Sequence, residues 1–365
     1  MNRALTVGAA GALGLPGASR AEELPIGAEW DALMARALDE RAVPILASAV
    51  AHGLIGATEA QREQLSLAHE SAMRSCLYLE QSTLAVAREM HDAGVDFRLL
   101  KGPAVARLDY PDPSWRGFGD IDVLVRSSHY EAAVRAMISI GGRRRSAEVR
   151  PGFDRRFGKG VCVVLSDGVQ VDVHRTLASG PFGLTIRLDD LFAGQDVVTF
   201  GGQRLPVLSR EHRLAHACMH AALGDAAPRL VALRDIAQLL LATDVDFDAT
   251  RAACARWRAT AVLAYAINAA WHTLELTPDP VSSWASEYVA DRYERRSLAA
   301  YVGPDRSYAR LMIAGIPAVE GIPAKAAYIR ALLFTDSEYT ARHDGSRVRR
   351  LQRAWRSRRT HSEVA

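Results

Sequence analysis

The chain contains 365 residues, with 45 basic and 42 acidic side chains and hence a formal net charge of +3. Apolar residues make up 49% and charged residues 24% of the sequence. This composition excludes an intrinsically disordered or a membrane-embedded chain and predicts two or three folding units, and the charge is too small to require a nucleic acid or a membrane surface as a partner. Only Lys101, Lys159 and Lys325 are lysines, so a lysine within a motif carries more weight here than in an average chain.

Residues 1–25 are predicted to form a disordered lead-in, because a charge-free stretch at 4–19 contains four glycines and a proline. A secretory signal peptide over residues 1–21 is the alternative, although its apolar segment is weak. The two longest charge-free stretches have 16 residues each, fewer than the roughly 20 that span a bilayer. No CxxC pair occurs among the four cysteines. These features favour a cytoplasmic protein without a membrane span.

Residues 26–94 are predicted to form an N-terminal helical region. Apolar residues return there every three or four positions, as in Trp30, Leu33, Met34 and Leu38, and few helix breakers interrupt the pattern. This stripe is explained more simply as core than as a ligand site.

Between residues 95 and 206 the apolar period changes to two and turn signals become frequent. The pattern predicts a buried strand at 97–100, a helix at 103–108 that begins with proline, and an irregular loop at 109–119.

A second strand is predicted at 120–126, followed by a helix that Ser127 or Ser128 caps and that ends at residue 140. Two more strands, at 161–165 and 169–173, would form a hairpin around an Asp-Gly turn.

Helical patterning returns over residues 207–335, and the clearest helices are predicted at 211–223, 229–241, 249–257 and 259–274. Residues 336–365 form a basic, arginine-rich tail of a kind that is generally solvated. The sequence thus predicts an α+β fold, in which a small mixed β-sheet is flanked by N-terminal helices and a C-terminal helical domain.

Strand periodicity places three aspartates where they could act together. Asp120 and Asp122 alternate with apolar residues and therefore share one face of their strand, as Asp172 and His174 do on theirs. Neighbouring carboxylates on a buried strand repel each other unless a cation lies between them, and a hard divalent ion such as Mg²⁺ or Mn²⁺ is the natural partner. The alternative is that the first strand begins at a solvated edge and that Asp172 is an ordinary exposed acid.

A Lys-Gly turn joins the strand at 97–100 to the helix that follows it. Gly102 would let the backbone approach a phosphate at the helix N-terminus, and Lys101 adds a point charge for a polyphosphate. Taken alone, this pair is most simply a turn. The order of Lys-Gly, Asp-x-Asp and a third acid is more specific than any of its parts.

In this order the chain resembles the nucleotidyltransferase superfamily, in which a glycine opens a helix, Asp-x-Asp follows on the next strand and a third acid lies on a later one. More narrowly, it is similar over roughly residues 30–280 to a bacterial family of uncharacterised nucleotidyltransferases. The matching segments are Leu-Leu-Lys-Gly-Pro-Ala-Val-Ala at 99–106, Tyr-Pro-Asp-Pro at 110–113, Arg116, Asp-Ile-Asp-Val-Leu-Val at 120–125, Val-Asp-Val-His at 171–174, His216, His220 and Arg-Asp-Ile at 234–236. Two features depart from the superfamily: Pro103 stands where serine often helps to bind triphosphate, and the spacer that leads to the Asp-x-Asp motif is long.

The resemblance implies that Asp120, Asp122 and Asp172 bind one or two metal ions and act in catalysis. It also implies that an NTP, ATP in the first instance, contacts Lys101 and Gly102. Arg116 would reach the triphosphate as a guanidinium fork, and its alternative role is that of a solvated loop arginine.

Five residues are candidates for contact with the acceptor substrate: His174, His216, His220, Arg234 and Asp235. The histidines at 216 and 220 share one helix face, but the segment lacks the glutamate of a zinc-binding His-Glu-x-x-His motif, so a place in the acceptor cleft is preferred. The Arg-Asp pair either forms an ion pair in helix packing or contacts substrate from the helical domain.

The sequence therefore predicts a metal-dependent nucleotidyltransferase that moves NMP from an NTP to a hydroxyl or phosphate group of a small molecule or peptide, with release of pyrophosphate. The family resemblance connects such a protein with natural-product pathways. A nucleic-acid partner is not expected, whereas a protein partner stays open. The alternative is a catalytically inactive protein of this fold that binds a partner, but the retention of all three aspartates and of the Lys-Gly turn favours the enzyme.

Overall fold

The computed structural model describes residues 3–11, 22–225, 227–302 and 306–336. The helices before the central sheet are α1 Arg3–Gly11, α2 Ala28–Asp39, α3 Val43–Ala51 and α4 Glu59–Asp92. Those connecting its strands are α5 Gly102–Leu108, α6 Tyr130–Ser139, α7 Phe153–Arg156, α8 Gly180–Thr185 and α9 Leu188–Ala193. Those after it are α10 Arg210–Leu223, α11 Leu230–Ala242, α12 Phe247–Arg256, α13 Thr260–Thr273, α14 Pro280–Glu287, α15 Arg292–Val302, α16 Tyr308–Gly315 and α17 Ile322–Leu333. Short 3₁₀ turns lie at Pro113–Trp115 and Ile316–Ala318.

The strands are β1 Glu22–Glu23, β2 Ile55–Gly56, β3 Phe97–Leu100, β4 Ile121–Val125, β5 Arg143–Arg144, β6 Gly160–Val164, β7 Gln170–His174, β8 Asp196–Phe200 and β9 Gln203–Val207. β1 and β2 form a separate parallel ladder, and the others form one seven-stranded sheet in the order β5-β6-β7-β4-β3-β9-β8. The pairs β4–β7 and β3–β9 are parallel, whereas the remaining neighbours are antiparallel. The predicted α+β fold with a mixed sheet flanked by helices is confirmed.

One face of this sheet is purely apolar where it meets the helices of the first half of the chain. Ile121, Val123, Val171 and Val173 lie on it and are buried together with side chains of α4 and α6. Because side chains alternate along a strand, the residues between them must point to the other face.

The other face is covered by the C-terminal helices. Leu100 and Leu124 belong to the same buried cluster as apolar residues of α10, α11 and α13. The polar residues of β4 and β7 alternate with the apolar set and therefore lie on this side of the sheet. The C-terminal helices thus close the face on which the predicted site lies.

The N-terminal helices form a third cluster, which includes Leu230 and Ala237 of α11. α1 belongs to it, and its Leu5 and Ala9 are buried. The prediction of a disordered lead-in over residues 1–25 is therefore wrong for α1, because small and apolar residues allow this segment to pack tightly on α3. Residues 12–21 lie outside the described ones, and the division of the chain at residues 94, 206 and 335 stays a prediction.

Four of the seven strands of the central sheet were predicted from the sequence, whereas β5, β8 and β9 were not. The strand at 97–100 is found with the same bounds, and the predicted hairpin is β6–β7, with Gly168 at φ +89° in its turn. The predicted cap of α6 is wrong, because His129 precedes the helix and no side chain caps it. The arginine-rich tail lies outside the described residues from 337 onward.

Candidate active site

The centre of the site is set by the pairing of β4 with β7. Because these strands run parallel, Asp122 lies opposite Asp172 and Leu124 lies opposite His174. One ligand atom from each of Asp122, Asp172 and His174 lies within 4.8 Å of the others, and we call these three residues the Asp–Asp–His cluster. The sheet therefore brings Asp122 next to two residues that lie 50 and 52 positions later in the sequence.

Asp122 is the buried centre of this cluster. The Lys101 ammonium lies 3.0 Å from its Oδ1 atom, and Nε2 of His174 lies 2.7 Å from the same oxygen. Burial alone would raise the pKa of Asp122, but the Lys101 charge and the hydrogen bond from His174 hold it well below its usual range. The carboxylate is therefore ionised at every physiological pH.

His174 is neutral in this arrangement. Burial and then the charge of Lys159 lower its pKa, and the hydrogen bond and charge of Asp122 only partly oppose them. A neutral imidazole that donates from Nε2 leaves a lone pair on Nδ1, and this buried atom has no hydrogen-bond partner among the described residues. Because Nε2 faces Asp122, the Nδ1 lone pair points away from that carboxylate.

Lys101 occupies a strained turn between β3 and α5. Its φ of +42° and ψ of −141° lie in a region that side-chain-bearing residues rarely adopt, and Gly102 follows with φ +39°. Burial would lower the pKa of Lys101, but Asp122 and then Asp120 raise it. The turn thus places a permanent cation directly on the buried carboxylate.

Asp120 lies one residue before β4 and outside the Asp–Asp–His cluster. Its half-exposed carboxylate is 3.6 Å from the guanidinium of Arg41, which comes from the end of α2. Asp172 is half-buried and lies opposite Cys162 of β6. Burial and then the charge of Asp172 raise the pKa of the Cys162 thiol to about 11, so this cysteine is an un-ionised neighbour.

Lys159 is a site residue that the sequence motifs did not identify. Lys159 immediately precedes β6. Its ammonium is repelled by the charge of Lys101 and attracted by the carboxylates of Asp122, Asp172 and Asp120. Burial first and Lys101 second lower its pKa. Two of the three lysines in the chain therefore lie at one site, and the scarcity of lysine was the signal that could have indicated this one.

Arg116 connects the loop that carries it to α11. It is buried, and its Nε and Nη2 atoms donate to the two carboxylate oxygens of Asp235 over 2.8 and 2.7 Å. The hydroxyl of Tyr110 donates to the same carboxylate, and Nη1 of Arg116 donates to the carbonyl of Gly102. The interpretation of Arg116 as a solvated loop arginine is wrong, because a bidentate pair fastens its loop to α11.

Of the two alternatives for Arg234 and Asp235, a mutual ion pair is not found among the described contacts. Nη1 of Arg234 donates to Gln238 over 2.5 Å, and its guanidinium lies over the ring of Tyr110. Successive residues of a helix point in different directions, so the two side chains meet different partners.

The loop at 109–119 is fastened at its other end as well. Asp109 accepts two hydrogen bonds of 2.8 Å from Arg213 of α10, and both side chains are buried. Two bidentate ion pairs therefore tie this loop to the C-terminal helices.

His216 and His220 lie on α10 beside the Asp–Asp–His cluster. Together with Lys101 and Asp235 they line a cavity of about 10 Å³, which has room for roughly one water molecule. Burial and then the charge of Lys101 hold the pKa of both imidazoles well below the usual value, so both are neutral. His212, one turn earlier, stacks on Trp257 instead and belongs to the packing of α10.

Comparisons with known proteins bear on what this arrangement does. The family model described as "Uncharacterised nucleotidyltransferase" matches residues 27–275, which is more than half of the chain. A search of curated proteins gave no match. A crystal structure of an antigenic nucleotidyltransferase-like protein from Paracoccidioides brasiliensis is 14% identical, with a TM-score of 0.31, and the match covers 52% of this chain and 89% of that one. Similarity at this level does not establish a common fold.

Among the described residues, no helix combines the length and the apolar character that a membrane crossing requires. The matched segment begins in front of α2 and ends just after α13, so it contains the central sheet, the Asp–Asp–His cluster and the helices that cover them. The chain belongs to the family of uncharacterised nucleotidyltransferases.

Proposed function

We propose that this protein transfers NMP from an NTP, ATP in the first instance, to a hydroxyl or phosphate group of a small molecule or peptide, with release of pyrophosphate. The observation that carries the proposal is the Asp–Asp–His cluster on the paired strands β4 and β7, with two lysines beside it. Family membership supports the general reaction class, and the acceptor is the one that the sequence analysis predicts.

The donor atoms of the cluster fit a hard divalent cation, Mg²⁺ or Mn²⁺. Carboxylate oxygens are the preferred ligands of such ions, and Asp122 and Asp172 each offer one within 4.8 Å of the other. Asp120, Asp122 and Asp172 are the proposed metal ligands, and His174 would hold the Asp122 carboxylate in place through its hydrogen bond from Nε2. When bound, the ion would neutralise the negative charge that develops on the phosphate groups during transfer.

The lysines attract and hold the triphosphate. Lys101 is fixed by Asp122, whereas the ammonium of Lys159 forms no ion pair or hydrogen bond within the described part of the chain and is free to contact a phosphate oxygen. Both are compact point charges, which suits the neutralisation of several oxygens at once. Gly102 accepts from Arg116 and so fixes the turn that presents Lys101.

His216 and His220 are the proposed contacts of the acceptor on α10. Their imidazoles line the cavity beside Lys101 and are neutral, so either can hydrogen-bond to a hydroxyl group of the acceptor. Asp172, half-buried at the end of the cluster, is the proposed proton acceptor. We place the reaction in a cytoplasmic natural-product pathway.

The test is pyrophosphate release and NTP binding by the purified full chain with Mg²⁺ and ATP. We expect Asp122→Asn to abolish transfer and metal-dependent ATP binding, because the variant removes the central carboxylate. Asp172→Asn, at a half-buried position, gives the same readout with less risk to folding. Asp248→Asn, an exposed aspartate of α12, is the matched control and should behave like the wild type. Absence of both ATP and Mn²⁺ binding in the wild type would refute the proposal.

One observation favours a second function, that of an inactive partner-binding protein. Asp122 is already compensated by Lys101 and His174, so the fold does not require a metal for charge balance. Calorimetry with Mn²⁺ separates the two functions, because an inactive protein of this kind would show no metal binding at the cluster.

A further inference from the structure

The end of α2 contains an unusual residue for its position. Arg41 has φ +55°, its N–H donates to the carbonyl of Leu38, and the next N–H donates to the carbonyl of Ala37. This hydrogen-bond pattern is the Schellman motif, in which the residue at the position of Arg41 adopts a left-handed conformation that favours glycine.

The same motif ends other helices of the chain. Gly53 after α3 and Gly94 after α4 hold the equivalent position with φ of +71° and +65°. Arg258 after α12 is the second arginine in this position, with φ +54°. The backbone therefore does not require arginine here, and the reason for Arg41 must lie with its side chain.

The side chain of Arg41 reaches the edge of the Asp–Asp–His cluster. Its Nη1 atom is 3.6 Å from Oδ1 of Asp120, and a Cβ atom added to Gly119 would lie 2.7 Å from Nη2. The guanidinium thus rests on a glycine that leaves room for it. It is 39% exposed and makes no closer polar contact in the described part of the chain.

A guanidinium carries five N–H donors in a planar fork that matches the geometry of phosphate oxygens. At 3.6 Å the contact with Asp120 is long, so most of these donors are available to a ligand. Arg41 lies on the exposed side of the cluster, whereas Lys101 lies on its buried side. A triphosphate bound between them would have positive charge on both sides.

We propose that Arg41 binds the β- and γ-phosphates of the NTP and so acts as a positioning residue for the leaving pyrophosphate. The inference rests on the proposed function and deepens it, because it assigns part of the nucleotide site to the N-terminal helical region. That region then supplies a side chain to the site in addition to its packing on α11.

The test compares three variants of the full chain by calorimetry with Mg²⁺ and ATP. Arg41→Gly should weaken ATP binding by about tenfold or more, since a charge-assisted hydrogen bond is lost. AMP, which lacks the outer phosphates, should bind the variant and the wild type equally. Arg41→Lys should restore part of the affinity because it keeps the charge. Arg258→Gly, which makes the same substitution in the same motif at α12, should bind ATP like the wild type.

Two further readouts exclude a merely structural role. The melting temperature of Arg41→Gly should equal or exceed that of the wild type, because glycine relieves the left-handed strain. Mn²⁺ binding without nucleotide should be unchanged or tighter, since a competing cation next to Asp120 has been removed. Wild-type ATP affinity in Arg41→Gly overturns the inference while leaving the proposed function intact. Absence of ATP binding in the wild type overturns both.

Discussion

The two faces of the central sheet are built from the same strands but differ in chemistry. Val123 and Val173 are fully enclosed by apolar side chains of α4 and α6, whereas Asp122 and His174, one residue away on the same strands, carry polar groups toward α10. The apolar face is stabilised by the removal of hydrocarbon from water. The polar face is tolerated because its buried carboxylate, Asp122, has the charge of Lys101 and a hydrogen bond from His174 close by.

Placing a charge on the apolar face should have the largest effect. Val173→Asp buries a carboxylate where every neighbour is apolar, so we expect a loss of more than about 5 kcal/mol of stability or failure to fold. Urea unfolding followed by circular dichroism measures it. Gln170→Asp, at an exposed position of the same strand, should change stability little. Similar stability of both variants would show that the apolar face tolerates a carboxylate as well as the exposed position does.

Removing one partner of a buried ion pair on the polar side should have the next largest effect. Arg116→Met leaves the carboxylate of Asp235 buried with only the hydroxyl of Tyr110 as partner, and we expect a loss of about 3–5 kcal/mol. Arg116→Met combined with Asp235→Leu removes both charges and should recover much of the loss. An equally unstable double variant would mean that the pair acts through packing and not through charge.

The third prediction concerns Asp154, a buried carboxylate whose negative charge is only partly balanced by the neighbouring Arg144. Burial and the neighbouring Glu148 raise the pKa of Asp154 to about 7, although Arg144 lies 2.6 Å away. In the unfolded chain this group ionises near pH 4, so the folded state retains a proton that the unfolded state has lost between these pH values. Stability should therefore fall as the pH rises from about 4 to about 7.

Asp154→Asn should remove this part of the pH dependence. We expect the variant to gain on the order of 4 kcal/mol over the wild type at pH 8 and to show little gain at pH 4, since the pKa of Asp154 is raised by roughly three units and one unit corresponds to about 1.4 kcal/mol. Thermal unfolding across this pH range measures the difference. A parallel pH dependence in both proteins would contradict the raised pKa.

The smallest expected effect is on ligand affinity alone. Lys159→Met should weaken ATP binding by about tenfold, or about 1.4 kcal/mol, without loss of stability, because the lysine forms no ion pair within the described residues. Lys325→Met removes the third lysine of the chain, on α17, and is the matched control. Equal effects of both variants on affinity would place Lys159 outside the nucleotide site.

Much of the site's framework could be predicted from the sequence because it depends on local patterns. The alternation around Asp122 and Asp172 predicted that each would leave its strand on the side opposite to valine, and the structure agrees. The roles proposed for these aspartates stay predictions until activity is measured. Arg116 and Asp235 were each predicted as candidate site residues. Their mutual contact could not be predicted, because it joins residues 119 positions apart and has no local signal in the sequence.

The sequence by itself determined the four strands that surround the site, the hairpin turn and the spacing of the acids, because these follow from alternation and turn chemistry within a few residues. Only the tertiary structure decided which cations meet those acids. Lys101 binds Asp122, Arg41 approaches Asp120 from a separate helical region, and Lys159 arrives from the start of β6. Such contacts depend on how distant elements pack, and that information is spread over the whole core and not over any single motif.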